Sequence, residues 1–222
     1  MRSFARFLPI IALLSLGALA CGSADTTGAG ANTATGGSGG SAAHGGTGGS
    51  GGGAQPLRAT IDTSEGIIVV DLEPTLTPVT VENFKKYADA QFYDGLVFHR
   101  VIVDFMIQGG GLSPDMTEKD PLFAPIVNEA VGSGLSNVAG TIAMARTSAP
   151  NSATSQFYIN TVDNTYLDPS TDNPAGYAVF GMVSTGMDVV ETIENVPTHT
   201  VGAYDDVPVT TVLINSIVVE PI

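Results

Sequence analysis

The chain is poor in residues that would announce several common chemistries. It has one cysteine, Cys21, in 222 residues, which excludes an intrachain disulfide framework and a multi-cysteine zinc site. Its three histidines, His44, His99 and His199, are scattered without metal-ligand spacing, so neither a metal nor another cofactor is expected. Eight Lys and Arg stand against 22 Asp and Glu, a net charge of −14. A nucleic-acid groove needs clustered bases, so nucleic acid is excluded as a partner. Only 14% of residues are charged while glycine reaches 27, unlike a uniform globular domain. The composition has to be divided before it is read.

Residues 1–20 read as a signal peptide. Arg2 and Arg6 precede an apolar run, Phe7–Ala20, of 14 residues. A membrane-spanning helix needs about 20, and small residues close the run as at a cleavage site. Two endings stay open. Ala18-Leu19-Ala20 fits ordinary signal cleavage, giving a secreted or periplasmic protein. Ala20-Cys21-Gly22 resembles a bacterial lipobox, although Ala18 stands where leucine is preferred. The lipobox reading is favoured because the chain's one cysteine sits where acylation (palmitate or a similar chain) requires it. At about 0.8 kcal/mol per buried CH₂, several acyl chains on Cys21 would be a firm anchor. The expected location is the cell envelope, anchored by lipid alone, at the outer membrane if the source is Gram-negative.

Residues 21–55 read as a flexible tether. Gly22–Gln55 holds 14 of the 27 glycines with Ser, Thr and Ala, too little apolar surface to offset the entropy of ordering. Its 34 residues would reach roughly 30–35 Å on average. Residues 56–222 form one domain-sized segment, with 21 acids, six bases and a net charge of −15. Solubility accounts for that charge, and attraction of basic clients is the lesser reading.

Within this segment Leu57, Ala59 and Ile61 alternate with polar residues at strand period, Ser64-Glu65-Gly66 turns, and Ile67–Leu72 forms a second strand. Pro78 opens a helix over Val79–Ala90, with Val81, Phe84 and Ala88 on one face. Further strands are expected at Val97–Ile102, Phe105–Gln108, Gly140–Ala145, Gln156–Thr161, Ala178–Val183 and Thr210–Glu220. A second helix is expected at Met187–Asn195. The loops Gly109–Gly134 and Asp168–Gly176 are long enough to be functional. Many short strands with two helices suit an antiparallel barrel, in which closure removes exposed edges.

The most informative stretch is Phe98-His99-Arg100-Val101-Ile102-Val103-Asp104-Phe105-Met106-Ile107-Gln108-Gly109-Gly110. Strand alternation sets Arg100 on the face opposite His99. An arginine among β-branched residues is either paired with one of the many acids or functional. Met106 and Gln108 share a face, so an apolar chain and an amide could flank one site.

This stretch resembles the signature of the cyclophilin family of peptidyl-prolyl isomerases. The similarity continues through Gly140–Thr147, through Asn151–Asn160, through Tyr166-Leu167-Asp168 and through Val179-Phe180-Gly181, covering about residues 57–220. Arg146 resembles the bacterial branch. The resemblance implies a mainly β fold, a closed antiparallel barrel of about eight strands capped by two α-helices. It implies that Arg100 is catalytic with Gln108 beside it. Phe105, Met106 and Leu167 would wall a proline pocket, Gln156 would flank it, and Ala145 and Arg146 would line the groove. Three departures matter. Tyr158 replaces a pocket phenylalanine and adds a hydroxyl near an apolar floor, Tyr166 replaces a tryptophan, and Tyr177 replaces a histidine. The implied partners are proline-containing unfolded or flexible polypeptides, met by a monomer with chaperone-like binding as an accompaniment. Weak cyclosporin binding is expected, since Tyr166 lacks the indole N–H donor.

Overall fold

The structure, a computed structural model, describes residues 55–222. The expected signal, Cys21 and all of the tether but Gln55 lie outside the described residues.

The domain begins with a hairpin. β1 (Leu57–Thr63) and β2 (Gly66–Leu72) pair antiparallel in register from Leu57↔Leu72 to Thr63↔Gly66. Alternation buries Ala59 and Ile61 on one strand and Ile68 and Val70 on the other. Gly66 at φ +136 permits the turn. Helix α1 (Pro78–Asp89) follows, one residue earlier than expected. Pro78 suits the first helical turn, where its missing N–H costs nothing. Thr77 makes no side-chain cap. The Glu129 carboxylate does it instead, accepting from Val79 N–H (3.2 Å), Thr80 N–H (2.8 Å) and the Thr80 hydroxyl (2.7 Å).

The chain continues through β3 (Phe98–Ile102), β4 (Met106–Gly109), a kinked single turn α2 (Ala130–Ser133), β5 (Thr141–Met144) and β6 (Phe157–Asn160). A 3₁₀ turn at Thr165–Leu167 leads to β7 (Val179–Thr185) and α3 (Met187–Glu194). β8 (Thr198–Val201), β9 (Tyr204–Pro208) and β10 (Ile214–Pro221) complete the fold. The hairpin β8–β9 was not anticipated, and β10 starts four residues later than expected.

Eight strands form one antiparallel sheet in the order β10-β1-β2-β7-β5-β6-β4-β3. It curls around Phe84, Phe98, Phe157 and Phe180, with Ile61, Ile68, Ile107 and Ile159. Phe84 and Phe157 meet edge to face at 5.6 Å between centroids, a favoured aromatic geometry. The mainly β architecture is as expected, but a closed barrel overstates it. The edges β3 and β10 meet through one isolated bridge, Val97↔Leu213, rather than a continuous ladder. The β3–β4 register slips between Phe98 and Arg100, and a bulge of this kind twists an edge away from further pairing.

Candidate active site

The site grows from register on the outer face of the curled sheet. Arg100 lies opposite Gln108 across β3–β4, Gln108 opposite Tyr158 across β4–β6, and Tyr158 opposite Ala143 across β6–β5. Residues directly opposite in antiparallel strands project to the same face. One guanidinium, one amide, one phenol and one methyl therefore stand in a row on four strands. Ile102 and Met106 form the neighbouring pair on that face. The intervening residues, Val101, Ile107, Ile159 and Ile142, fill the interior.

An apolar floor surrounds this row. Met106, Ala143, Ala145, Tyr158, Leu167 and Val179 are buried together, with Ile102, Phe105, Leu135 and Tyr177 packed against them. Phe105 stacks on Tyr166 at 6.2 Å and an interplanar angle of 24°, while Tyr166 remains 52% exposed. The Tyr177 ring meets Tyr158 edge-on and lies 4.3 Å beneath the Arg146 guanidinium. Arg146 also donates to the carbonyls of Gly176 (3.0 Å) and Thr147 (2.9 Å), so it stitches two loops at the groove's end.

The polar groups are set individually. Gln108 donates from Nε2 to Gln156 Oε1 at 3.0 Å, which couples the two amides. A Cβ on Gly111 would lie 2.5 Å from Gln156 Cγ, so the third glycine of that run leaves the space Gln156 occupies. Arg100 is held in a part-buried position, with Nε 3.9 Å from Asp206 Oδ2. Burial lowers its pKa, opposed by Asp206 and Asp205, yet a guanidinium stays charged throughout the accessible range.

The Tyr158 hydroxyl does not face the floor as expected. It donates downward to Asn137 Oδ1 at 2.7 Å, and burial raises its pKa well above the ordinary phenol value. Asn137 is the centre of a buried network. Its side-chain N–H and backbone N–H both reach Asp168 Oδ1 at 2.8 Å, and its Oδ1 also accepts from Asn160 at 3.3 Å. Asn164 ties Asn160 Oδ1 to the Phe105 carbonyl, both at 2.8 Å. One network thus anchors the chain at Phe105, Tyr158 and Leu167–Asp168, three parts of the pocket wall. Sequence reasoning quoted Asp168 only within a motif and did not pick out Asn137, Asn164 or Asp206.

His99 is buried, and burial lowers its pKa from 6.5 to about 4, with a hydrogen bond to the Val97 backbone opposing the shift. A cavity of about 160 Å³ lies elsewhere, between the β8–β9 hairpin and Pro114–Met116, and contains none of the site residues expected from sequence. Among the described residues no three His, Cys, Asp or Glu side chains are placed to hold a metal ion.

The strands that carry the row and its floor lie within a stretch that matches a known family. Residues 58–219 match the family described as cyclophilin type peptidyl-prolyl cis-trans isomerase/CLD. The chain belongs to the cyclophilin family. Membership places it among the peptidyl-prolyl cis-trans isomerases, EC 5.2.1.8. It is 51% identical over 160 residues to a peptidyl-prolyl cis-trans isomerase of Acinetobacter baylyi, covering 72% of this chain and 84% of the relative. It is 52% identical over 158 residues to one of Streptomyces antibioticus, covering 70% and 94%. A crystal structure of a Cryptosporidium parvum cyclophilin-type isomerase, solved in the presence of the dipeptide Ala-Pro, matches with a TM-score of 0.63 at 27% identity, covering 75% of this chain and 99% of that one.

Proposed function

We propose that the groove takes an X-Pro segment of a flexible polypeptide and lowers the barrier to its rotation without covalent chemistry. The amide is held planar by resonance with a barrier of about 18–20 kcal/mol. At the twisted state the prolyl nitrogen becomes pyramidal and basic, and a donor aimed at it stabilises that state alone. Arg100 supplies that donor. Met106, Phe105 and Leu167 enclose the proline ring, and Gln108, coupled to Gln156, holds the polar side. A reduction of about 7–8 kcal/mol would accelerate isomerisation by roughly 10⁵–10⁶. The observation that carries this reading is the shared face of Arg100, Gln108 and Met106 beside an apolar floor. It is tested with full-length protein in a proline-limited refolding assay. Arg100→Ala should lower the rate constant at least about tenfold, while binding of a proline peptide changes much less. Equal catalysis by both proteins, with matching circular dichroism, would refute it.

The same reading extends to place and clients. An apolar run after two arginines and a lone cysteine at its end support an exported, lipid-anchored isomerase that acts on envelope or exported chains and also grips them as a chaperone. Mass spectrometry of the mature protein tests this: an acylated N-terminal Cys21 supports anchoring, and a free Cys21 thiol refutes it.

A further inference from the structure

The unanticipated hairpin β8–β9 brings a carboxylate to the catalytic arginine through an unusual backbone. β9 lies against β3, and the β8–β9 register runs Thr198↔Pro208, His199↔Val207, then Val201↔Tyr204. Two steps on β8 therefore face three on β9, which places an extra residue at Asp205-Asp206. Asp206 takes φ +61, the left-handed region that ordinarily favours glycine. Gln91, Asp104 and Met116 share a positive φ, but only Asp206 does so inside a strand. Bulges with such a residue re-aim a side chain, and they recur beside active sites. Here the bulge separates two neighbouring carboxylates. Asp205 accepts from the Thr200 hydroxyl at 2.8 Å within the hairpin, and Asp206 is directed at Arg100 Nε, 3.9 Å away.

We propose that Asp206 is a positioning residue for the isomerase reaction: its carboxylate restrains the Arg100 guanidinium from the Nε side, leaving the terminal nitrogens to meet the prolyl nitrogen. This rests on the isomerase reading above. The restraint is electrostatic, since 3.9 Å exceeds hydrogen-bond length, and a part-buried guanidinium feels it more than an exposed one would. Tyr166 and Tyr177 are the other groups facing Arg100, and neither carries a carboxylate. The carboxylates of the hairpin are therefore the counter-charges that act on it.

Asp206→Asn and Asp206→Gly in the full chain test the proposal, because both replacements tolerate a left-handed backbone. In peptide isomerisation followed by NMR exchange, each should lower kcat about five- to tenfold with KM changed less than about twofold. In an Arg100→Ala background the same substitutions should change the rate less than about twofold, since a restraint has nothing left to restrain. The Arg100 Nε–H resonance should exchange faster with solvent in Asp206→Asn. Wild-type kcat in both variants, or an equal loss with and without Arg100, would overturn the proposal. An inactive wild-type chain would instead refute the isomerase reading. The Nε–H signal then still decides, and no change on Asp206→Asn would overturn the positioning role by itself.

Discussion

Protonation of His99 should cost the fold stability in a pH window that catalysis does not share. The imidazole is buried, its Nδ1 has no hydrogen-bonding partner, and its pKa falls from 6.5 to about 4. Adding the second proton would leave a buried, charged N–H without an acceptor, which the protein resists by staying neutral. The folded pKa is depressed, so between about 6.5 and 4 the unfolded chain binds a proton that the native state refuses. Stability from this group is therefore full above pH 6.5 and falls as pH drops toward 4. The total comes to about 3.5 kcal/mol, at about 1.4 kcal/mol per pKa unit. At pH 5.5 the loss is about 1.4 kcal/mol, equivalent to roughly 3–6 °C in Tm for a domain of this size.

Urea unfolding at closely spaced pH values from 5 to 8 would read this, with His99→Gln as the reference that removes the titration and leaves other groups in place. The wild-type curve should lose stability relative to the variant below pH 6.5. An NMR titration should place the His99 midpoint in the folded protein near 4. Over pH 6–9 the catalysed rate should stay flat, because Arg100 and the site amides do not titrate and Tyr158 is pushed upward. A folded-state His99 midpoint near 6.5, or wild-type stability parallel to the variant throughout, would refute the reasoning. A rate limb near pH 6.5 that vanishes in His99→Gln would show that the histidine takes part in catalysis.

Tyr158→Phe should cost about 1–2 kcal/mol of stability by removing the donor to Asn137 while leaving kcat/KM within about twofold; a tenfold loss of activity would mean the hydroxyl works in the pocket. Glu129→Gln should lower the urea midpoint by the equivalent of about 1–2 kcal/mol, since the helix α1 N-terminus loses its charged acceptor, and an unchanged midpoint would remove Glu129 as the cap. Cyclosporin should inhibit weakly, and Tyr166→Trp should strengthen inhibition by roughly five- to a hundredfold, the equivalent of one recovered hydrogen bond of about 1–3 kcal/mol. Tight inhibition of the natural protein in a titration would contradict that account.

The parts legible in the sequence are those written as a period. Alternation marked Ala59 and Ile61 as core, helical spacing did the same for Val81, Phe84 and Ala88, and all five are buried. The pairing of Met106 and Gln108 on one face followed from the same rule, and the structure sets Arg100 there as well. The β8–β9 hairpin escaped because its strands are short. Moreover, β8 has no fully buried residue to print an alternation, so β-branched Thr198, Thr200 and Val201 read as loop. Closure was overread because strand number predicts a barrel, whereas whether the edge strands join by a full ladder or by one bridge, Val97↔Leu213, leaves no compositional mark.

The residues that escaped at the site share a different property. Glu129, Asn137 and Asp206 act on Thr80, Tyr158 and Arg100, partners well separated along the chain. Each does so through a few directional polar contacts rather than a repeated face. Hydrophobic burial is collective and non-directional, so many residues must agree and a pattern appears. A hydrogen bond or ion pair needs one atom in one place, and any Asp, Glu or Asn in a loop is an equal candidate beforehand. An acidic chain worsens this, because its 22 carboxylates supply many possible partners for each cation. Of the two sequence readings of Arg100, the ion pair is visible as the Asp206 contact, and the functional role is the one the refolding assay of Arg100→Ala tests. A permanent cation held part-buried gains from a counter-charge, and Asp206 stands 3.9 Å from Arg100 Nε, beyond hydrogen-bond length.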